Sequence, residues 1–467
     1  MDLHINLSKR GHLGDEIYRQ LRAQIIDGRL PAGTRLPSSR ELAERLEVSR
    51  NIVIAAFDRL VAEGFAEGRV GAGTYIAEVA ARISRRAPNR QALVARAPWR
   101  VLTVDARPTV EAQYDFRLGS PDPTLFPWDA WRSLVARQLH AKRHRHFADS
   151  AGDPALRAAI ARHIGASRSV VAGAEDIVIT NGAQQALDLV ARVLSEPGMT
   201  VAIEEPGYPD ARIIFELAGA KVVGVPVDRE GLDVTKLPPE TRLVYVTPSH
   251  QFPLGVAMSL PRRTALLAWA EQHRAAIVED DYDSEFRFDG RPLEPLQSLD
   301  RAGRVLYIGT FSKVLQPTLR IGFIVAPASV APALVTAKRI TDSYGPPELQ
   351  RALAELIDDG AFARHLRKLI RVYRERRDTL VGLIEKHLPL DLWPAQAGLH
   401  VAGHFRDRKV DMVKLQRDAL AANVAVHTFA PYYQGKPKSG LAFGYGVIDV
   451  KKMPEAIRRL AHLLSAR

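Results

Sequence analysis

Six apolar runs rich in β-branched residues recur between residues 176 and 326, and enough chain for a helix or a loop separates each from the next. Runs that are apolar throughout are typical of strands buried on both faces of a mostly parallel sheet that is covered by helices. The sequence therefore predicts an α/β fold for this part of the chain, with any ligand near the carboxyl ends of the strands. The predicted strands are 176–180, 201–204, 243–247, 276–280, 305–310 and 321–326.

The composition fits a globular protein with more than one domain. A chain of 467 residues is too long for one ordinary domain, and its contents of 46% hydrophobic and 25% charged residues are average values. No apolar run approaches the ~18 residues of a membrane-spanning helix, and the first residues lack the apolar centre of a signal peptide. We therefore expect a cytoplasmic protein without a membrane contact. The chain has no cysteine, which excludes disulfides and thiolate metal sites, and we predict no metal centre.

Residues 1–76 carry the signals of three short helices. Apolar residues at every fourth position predict a helix over 13–27. Ser38 and Glu41 have the spacing of a capping box and predict the start of a second helix. Ser49 is a suitable N-cap for a third helix, whose first turn would expose an arginine and an asparagine.

The stretch after the third predicted helix contains glycines at turn positions. Residues 65–76 include Gly68, Gly71 and Gly73 and predict a two-stranded hairpin. Three short helices followed by a glycine-rich hairpin form the winged helix-turn-helix pattern, in which the third helix enters the major groove of DNA.

The runs 33–43 and 49–53 resemble the GntR family of bacterial regulators, and this likeness covers the whole N-terminal unit. The resemblance implies that double-stranded operator DNA is a partner. Taken singly, each arginine of the motif is equally well a solvated charge, and the sequence does not separate phosphate contacts from base contacts. The DNA-binding residues implied by the resemblance are Arg35, Ser38, Arg40, Ser49, Arg50 and Asn51, with the wing at Gly71 and Gly73.

The net charge of +12 is compatible with an acidic partner, but the excess does not lie in the N-terminal unit. Residues 1–75 hold 11 basic and 10 acidic side chains, whereas residues 76–113 hold seven arginines and three acids. Segment 77–113 has no sustained periodicity and predicts a solvated linker between a domain at 1–76 and a domain at 114–467. A second, non-specific DNA contact through its arginines is the alternative.

Three motifs follow strands of the predicted sheet. A glycine turn at Gly182 leads into a helix and would aim backbone N–H groups at an anion, although an ordinary strand-to-helix turn is the alternative. Asp280 ends a strand, where it would hold a pyridinium nitrogen or cap the next segment. Lys313 follows another strand beside two hydroxyl side chains, with Arg320 seven residues later. Such a lysine can form an imine while its neighbours hold a phosphate.

Taken together and in this order, the three motifs resemble the fold-type I aminotransferases, which bind pyridoxal phosphate. By this resemblance Lys313 is the lysine that forms an imine with the cofactor, and Asp280 is the partner of the pyridine nitrogen. Tyr282 would bind the phenolic oxygen of the ring, and Tyr208 would lie against the ring unless it is only a packed turn residue. The phosphate-binding residues implied are Gly182, Ala183, Gln184, Thr310, Ser312 and Arg320.

A GntR-like head followed by an aminotransferase-like body is the layout of the MocR subgroup, and segments 115–122, 248–255 and 279–286 look like those of this subgroup. The expected fold class is therefore α/β, with a winged helix-turn-helix joined by a linker to a fold-type I aminotransferase-like domain. The resemblance implies a homodimer, because sites of this kind are normally completed across a subunit interface.

Two positions depart from true aminotransferases. The loop that normally supplies an asparagine to the ring oxygen reads differently at 251–255, so that Gln251 or His250 is the substitute. The arginine that grips the substrate α-carboxylate is replaced by Ala442, which leaves the amino-acid clamp in doubt. The remaining polar candidates for that clamp are His400, His404, His427 and Arg406.

We therefore expect a DNA-binding transcription regulator that senses pyridoxal phosphate, or an amine or amino acid that reacts with it, in the control of vitamin B6 or amino-acid metabolism genes. We expect no catalytic turnover. A working aminotransferase with an added DNA-binding head is the alternative, and a scaffold that no longer binds the cofactor is disfavoured by the joint presence of Lys313, Asp280 and Arg320.

Overall fold

The computed structural model describes residues 3, 5–7, 12–78, 94–96, 99–100, 112–140, 149–290, 293–394, 396–406 and 410–465. Its chain divides into two compact units, Met1–Val104 and Asp105–Arg467, each with its own buried core. Most of the predicted linker, 77–113, lies outside the described residues. None of the helices described is long and apolar enough to cross a membrane.

The described residues of the small unit form three helices and a hairpin. Its elements are α1 (Leu13–Ile26), α2 (Ser39–Leu46), α3 (Arg50–Ala62), β1 (Ala66–Arg69) and β2 (Gly73–Ile76). The apolar positions that predicted α1 are buried, and β1 pairs antiparallel with β2. The predicted winged helix-turn-helix is therefore confirmed.

Ser38 and Ser49 stand at the N-caps of α2 and α3, as the sequence predicts. The Ser38 hydroxyl accepts a hydrogen bond from the backbone of Glu41, and the Glu41 side chain accepts one in return from the Ser38 N–H, which completes the capping box. Ser49 has the extended backbone of an N-cap, but its side chain accepts no capping hydrogen bond from the described residues.

The large unit contains two principal sheets surrounded by helices. Its strands are β3 (Tyr114–Asp115), β4 (Ile177–Thr180), β5 (Thr200–Glu205), β6 (Lys221–Asp228), β7 (Gly231–Leu232), β8 (Thr241–Val246), β9 (Ala276–Asp281), β10 (Val305–Thr310), β11 (Gly322–Val325), β12 (Leu390–Leu392), β13 (His400–Phe405), β14 (Val424–Ala425), β15 (His427–Thr428) and β16 (Gly440–Gly444). Its helices are α4 (Trp128–His140), α5 (Pro154–Arg168), α6 (Ala183–Leu194), α7 (Pro209–Leu217), α8 (Leu260–Gln272), α9 (Leu296–Leu299), α10 (Ala331–Asp342), α11 (Pro347–Asp358), α12 (Ala361–His387), α13 (Met412–Ala421) and α14 (Met453–Ser465).

The central sheet has eight strands in the order β4-β11-β10-β9-β8-β5-β6-β7. The pairs from β10 to β6 are parallel, whereas β11 runs antiparallel to both of its neighbours. Only residues 311–321 connect β10 to β11, which is too short for the crossover that a parallel partner requires. The prediction of a mostly parallel α/β sheet is confirmed.

A second, antiparallel sheet has the order β12-β13-β16-β15. In its register, Ala442 on β16 lies opposite Ala402 on β13 and His427 on β15. This sheet therefore fixes the position that the resemblance assigns to the carboxylate-binding arginine.

Candidate functional site

The carboxyl ends of β10 and β4 meet at one edge of the central sheet. Thr310 pairs with Gly322, and Gly322 pairs with Thr180, so the three residues form a row across β10, β11 and β4. A Cβ atom on Gly322 would approach the Gly182 backbone to 2.9 Å, so the glycine turn after β4 lies directly beside this row. Segments that are more than a hundred residues apart in sequence therefore meet in one place.

Gly182 and Arg320 form a cradle with the charge and shape for an anion. Gly182 has a φ of +81° and precedes α6, whose first backbone N–H groups have no partner within the helix. A Cβ atom on Gly182 would lie 2.8 Å from the Arg320 guanidinium, which donates a hydrogen bond to the Asn181 carbonyl at 2.7 Å. A guanidinium beside a helix N-terminus favours a phosphate group.

Side chains from two further loops contribute to the same edge of the sheet. The Thr310 hydroxyl lies 3.1 Å from the Ser312 hydroxyl and accepts a hydrogen bond from the Ser312 N–H at 3.2 Å. The Gln184 amide, in the first turn of α6, donates to the Tyr208 hydroxyl at 2.6 Å and to Asp210 at 2.7 Å. Tyr208 is thereby held against the start of α6.

Asp280 has one buried carboxyl oxygen with a partner among the described residues and one without. Tyr245, on the neighbouring strand, donates a hydrogen bond to Asp280 Oδ2 at 2.8 Å, but no described residue provides a partner for the buried Oδ1. Burial raises the pKa of Asp280 to about 7, against the opposing effects of the Tyr245 hydroxyl and the nearby Lys313 ammonium. An N–H donor placed at Oδ1 would satisfy this oxygen and stabilise the carboxylate.

Lys313 follows β10 and approaches the main chain very closely. Its Nζ donates a hydrogen bond to the Gly119 carbonyl at 2.8 Å. A Cβ atom on Gly119 would lie 2.6 Å from this nitrogen, and the residue has a φ of +73°. The positive φ favours glycine at this position, and a side chain there would displace the Lys313 amine.

The rings of Tyr208 and Tyr282 both pack against Phe252. The centroid of Phe252 lies 5.7 Å from that of Tyr208 and 6.1 Å from that of Tyr282 in edge-to-face contacts. The Tyr282 hydroxyl donates to the His250 carbonyl at 2.9 Å and lies 3.0 Å from His250 Nδ1. Burial and the carboxylate of Asp283 raise the pKa of Tyr282 well above its ordinary value, so this phenol remains a donor.

The Gln251 amide is occupied by hydrogen bonds to its own loop and to the loop after β5. Its Nε2 donates to the carbonyls of Pro206 and Phe252, at 2.8 and 2.6 Å, and its Oε1 accepts from the Leu254 N–H at 3.1 Å. Gln251 therefore joins the loop after β8 to the loop after β5. Between the two substitutes that the sequence offers, the geometry favours His250 as the group that acts on Tyr282.

Ala442 is fully buried in a small apolar cluster with Leu118, Leu254, Ala402 and Phe429. Leu118 directly precedes Gly119, so the cluster adjoins the segment that receives the Lys313 hydrogen bond. The region where the resemblance places a carboxylate clamp is therefore apolar.

The alternative clamp residues are engaged elsewhere. His400 is buried and donates to the Pro253 carbonyl at 3.0 Å, and burial together with His250 holds its pKa well below the ordinary value. Arg406 is exposed and paired with Asp391 at 3.0 Å. The Trp393 indole donates to His404, and His427 lies 3.1 Å from the Tyr432 hydroxyl. A neutral His400 is a poor anchor for a carboxylate.

In the small unit the predicted DNA-binding arginines lie on the surface, around the start of two helices. Arg50 is exposed in the first turn of α3, and its Nε donates to the Ser39 hydroxyl at 3.1 Å, which joins the starts of α3 and α2. Arg40 and Asn51 are also exposed. Polar side chains at the starts of α2 and α3 are therefore exposed next to each other.

Arg35, the first of the predicted DNA-binding arginines, lies beside the hairpin that forms the wing. Gly71 and Gly73 have φ values of +75° and +109° in the turn of the hairpin. A Cβ atom on Gly73 would lie 3.2 Å from the Arg35 Nε, and the backbone of Arg35 bridges to Tyr75. Arg35 is thereby placed beside the wing rather than beside α3.

Two family models match the chain, one for each unit. The model described as "Aminotransferase class I and II" matches residues 115–460, and that described as "Bacterial regulatory proteins, gntR family" matches residues 13–76. The solved structure of LysN, the alpha-aminoadipate aminotransferase of Thermus thermophilus complexed with N-(5'-phosphopyridoxyl)-L-leucine, is 32% identical, with a TM-score of 0.69 over 75% of this chain and 92% of that one.

Two curated relatives combine both units as this chain does. The probable rhizopine catabolism regulatory protein MocR of Rhizobium meliloti is 40% identical over 95% of this chain and 92% of its own length. The pyridoxine biosynthesis transcriptional regulator PdxR of Corynebacterium glutamicum is 33% identical over 93% of this chain and 92% of its own.

The fold and the site thus define a DNA-binding transcription regulator whose second domain has the pyridoxal-phosphate-binding fold of the aminotransferases. The chain belongs to the MocR subgroup of the gntR family. The site fits the cofactor on its own geometry, because the unsatisfied Asp280 oxygen, the Gly182–Arg320 cradle and the Lys313 amine match a pyridine nitrogen, a phosphate and an aldehyde.

Proposed function

We propose that the large domain senses pyridoxal phosphate, or an amine or amino acid that reacts with it, and that this changes the affinity of the small domain for its operator. The observation that carries the proposal is the presence of a full set of cofactor-binding groups beside an apolar Ala442. Through this change in operator affinity the protein would control genes of vitamin B6 or amino-acid metabolism.

The residues around the sheet edge have separate roles in this proposal. Lys313 attaches the cofactor, Asp280 holds its pyridine nitrogen, Tyr282 donates to its ring oxygen and Tyr208 lies against its ring. When bound, pyridoxal phosphate supplies an aldehyde that reacts with primary amines. The phosphate is held by Gly182, Ala183, Gln184, Thr310, Ser312 and Arg320, while Gln251 fixes the loop beside Tyr208.

The missing clamp distinguishes the two kinds of effector. An amino acid at this site would lose a charge-assisted bidentate contact with its carboxylate, typically worth about 1.5–3 kcal/mol, or roughly ten- to a hundredfold in affinity. Pyridoxal phosphate needs no such contact. His400 is a poor carboxylate anchor because its pKa is held well below the ordinary value, and Arg406 is paired with Asp391. Both observations support the cofactor itself as the signal.

Residues 1–76 are proposed as the DNA-binding domain, 77–113 as the linker and 114–467 as the effector and dimerisation domain. We expect a homodimer that reads two repeated half-sites, because one winged head buries little surface on DNA. Sedimentation with and without operator DNA measures this. A stable monomer with full operator affinity would contradict it.

The decisive experiment measures operator affinity on three samples of the full chain: cofactor-free, cofactor-loaded, and loaded with a panel of amines and amino acids. If the cofactor is the signal, operator affinity should differ between the cofactor-free and the cofactor-loaded chain. It should change little further when amines or amino acids are added. No change on loading, with a strong response to one amine, would assign the signal to that amine instead.

The alternative is a working aminotransferase with an added DNA-binding head, which the complete set of cofactor residues favours. Incubation of the loaded chain with amino-donor and keto-acid panels tests it. Sustained conversion of a donor to its keto acid would support the enzyme, whereas no turnover at a site that still takes up the cofactor supports the sensor.

A further inference from the structure

His250 lies behind Tyr282 in a chain of three polar side chains, of which His250 and Asp283 are buried and Tyr282 is half-buried. Its Nδ1 is 3.1 Å from each carboxylate oxygen of Asp283 and 3.0 Å from the Tyr282 hydroxyl. The side chains of His250 and Asp283 are 1% and 2% exposed, and Asp283 also accepts from the Leu399 N–H at 3.2 Å. The Asp283 carboxylate is therefore fixed by the backbone and in turn orients the imidazole.

The hydrogen-bond partners determine which ring nitrogen of His250 carries the proton. A carboxylate only accepts hydrogen bonds, so Nδ1 is the donor, and in the corresponding neutral tautomer Nε2 carries the lone pair. No described residue provides a partner for this buried Nε2. The arrangement thus directs one N–H toward Asp283 and the Tyr282 oxygen together.

Two glycines make room for the imidazole and hold it in place. A Cβ atom on Gly398 would lie 1.9 Å from His250 Cε1, and a Cβ atom on Gly255 would lie 3.1 Å from Nε2. Both glycines have positive φ values, +79° and +83°. The ring is therefore confined on two sides, and rotation away from Tyr282 would require the main chain to move.

We propose that His250, oriented by Asp283, is a positioning residue for Tyr282: its Nδ1–H supports the phenol oxygen, and the phenol proton, which is donated to the His250 carbonyl in this structure, is donated to the ring oxygen when the cofactor is bound. The inference rests on the proposed cofactor site. It assigns to His250 the role of the asparagine that aminotransferases have in this loop, and His250 performs this role through Tyr282. The Gln251 amide is already engaged by the carbonyls of Pro206 and Phe252.

The expected consequence is a change in the acid–base behaviour of the bound cofactor. A phenol that accepts one hydrogen bond becomes a stronger donor in the next, so removal of the Nδ1–H weakens the Tyr282 bond to the ring oxygen. The deprotonated cofactor carries more uncompensated negative charge on that oxygen and depends more on this bond. Removal of the donor should therefore raise the pH midpoint of the cofactor's absorbance change by about one unit.

Among the described residues, few charged or titratable groups face the three side chains of His250, Asp283 and Tyr282. Asp283 and the His400 ring, whose centroid is 4.6 Å away, face His250, and Tyr282 is also under the influence of the carboxyls of Asp280, Glu204 and Asp281. Burial and His250 hold the pKa of His400 well below its ordinary value, so it stays neutral in the range of the titration. Its titration therefore does not produce the expected shift.

The test is an absorbance titration of the cofactor-loaded full chain in a double-mutant cycle of His250→Leu and Tyr282→Phe. His250→Leu should raise the midpoint by about one unit in the wild-type background and by far less in the Tyr282→Phe background. His250→Asn keeps an N–H near the position of Nδ1 and should restore most of the original midpoint. His273→Leu, at a histidine stacked on Trp269, is the matched control and should cause no shift.

An equal shift in both backgrounds, or no shift in a folded His250→Leu chain, would overturn the proposal. If the leucine variant does not fold, Asp283→Asn removes the charge that orients the ring at nearly constant shape, and an unchanged midpoint there would overturn it equally. A wild-type chain that takes up no cofactor would overturn the proposed site as well, which distinguishes the two failures.

Discussion

The Tyr245 hydroxyl donates a hydrogen bond to Asp280 Oδ2 at 2.8 Å, from one parallel strand to the next. The bond leaves Oδ1 buried without a partner from the described residues, and burial raises the pKa of Asp280 to about 7. Tyr245 therefore holds the carboxyl in an orientation that presents its other oxygen to a ligand. The carboxylate form is the one that accepts an N–H, and Tyr245 favours it.

Tyr245→Phe should weaken cofactor binding about tenfold, because the change removes a hydrogen bond worth about 1 kcal/mol and raises the pKa of Asp280 further. Equilibrium dialysis with absorbance detection measures the affinity. Tyr373→Phe is the matched control: this buried tyrosine accepts from the Asp122 N–H, away from Asp280, and its loss should lower stability but not cofactor affinity. Equal losses of affinity in the two variants would contradict the role of Tyr245.

Lys313→Ala should abolish covalent attachment of the cofactor while the fold is retained, because only the amine is removed and the phosphate cradle remains. Borohydride reduction of the loaded chain followed by peptide mapping locates the attachment. Lys221→Ala, at an exposed residue of β6, is the control and should be labelled as the wild type is. Label on any other lysine in the wild-type chain would remove Lys313 from this role.

Arg50→Ala should weaken operator binding by about 1–3 kcal/mol, without a change in the cofactor spectrum, if the side chain contacts a base or a buried phosphate. Its guanidinium is exposed at the start of α3 beside Ser39. Band-shift titration and absorbance on the same sample measure both effects. Arg29→Ala, at an exposed arginine paired with Asp27, is the control for loss of one positive charge. Unchanged affinity in Arg50→Ala would exclude the contact.

The sequence predicted the elements whose signals are local. The capping box at Ser38, the helix over 13–27 and the strand at 305–310 each depend on residues a few positions apart, and each appears within one or two residues of its predicted place. The fold class followed from the order of such elements. The carboxyl-edge location of Thr310 and Gly182 followed from the rule for parallel sheets.

The remainder of the site depends on contacts that no local pattern records. Tyr245 reads as one more apolar strand residue, and its bond to Asp280 appears only when β8 pairs with β9. Gly119 lies 194 positions from Lys313, and the hydrogen bond between its carbonyl and that amine appears only in the folded chain. The sequence offered Gln251 or His250 as the substitute, because no local pattern shows that the Gln251 amide is hydrogen-bonded to Pro206, Phe252 and Leu254.

The pair of Arg168 and Asp281 should be a major contributor to the stability of the large domain. Arg168 Nε lies 3.0 Å from Asp281 Oδ2, and the two side chains are 8% and 1% exposed. Burial alone would raise the pKa of Asp281, but the Arg168 guanidinium and the Tyr307 hydroxyl hold it below the ordinary value. The stabilisation is therefore present above the pKa of about 3.9 in the unfolded chain and is lost as the pH falls through the lower folded value.

Arg168→Ala should accordingly lower the free energy of unfolding of the large domain by about 3–5 kcal/mol at pH 7, because it leaves a buried carboxylate without its counter-charge. The loss should shrink in acid, since a protonated Asp281 no longer needs the guanidinium. Urea unfolding at pH 7 and at about pH 3, below the pKa of the carboxyl in the unfolded chain, measures both free energies. Arg162→Ala is the control, because its partner Asp358 is exposed, and should cost no more than about 1 kcal/mol. A loss in Arg168→Ala that is as small as in the control, or that grows in acid, would show that the pair does not stabilise the domain in this way.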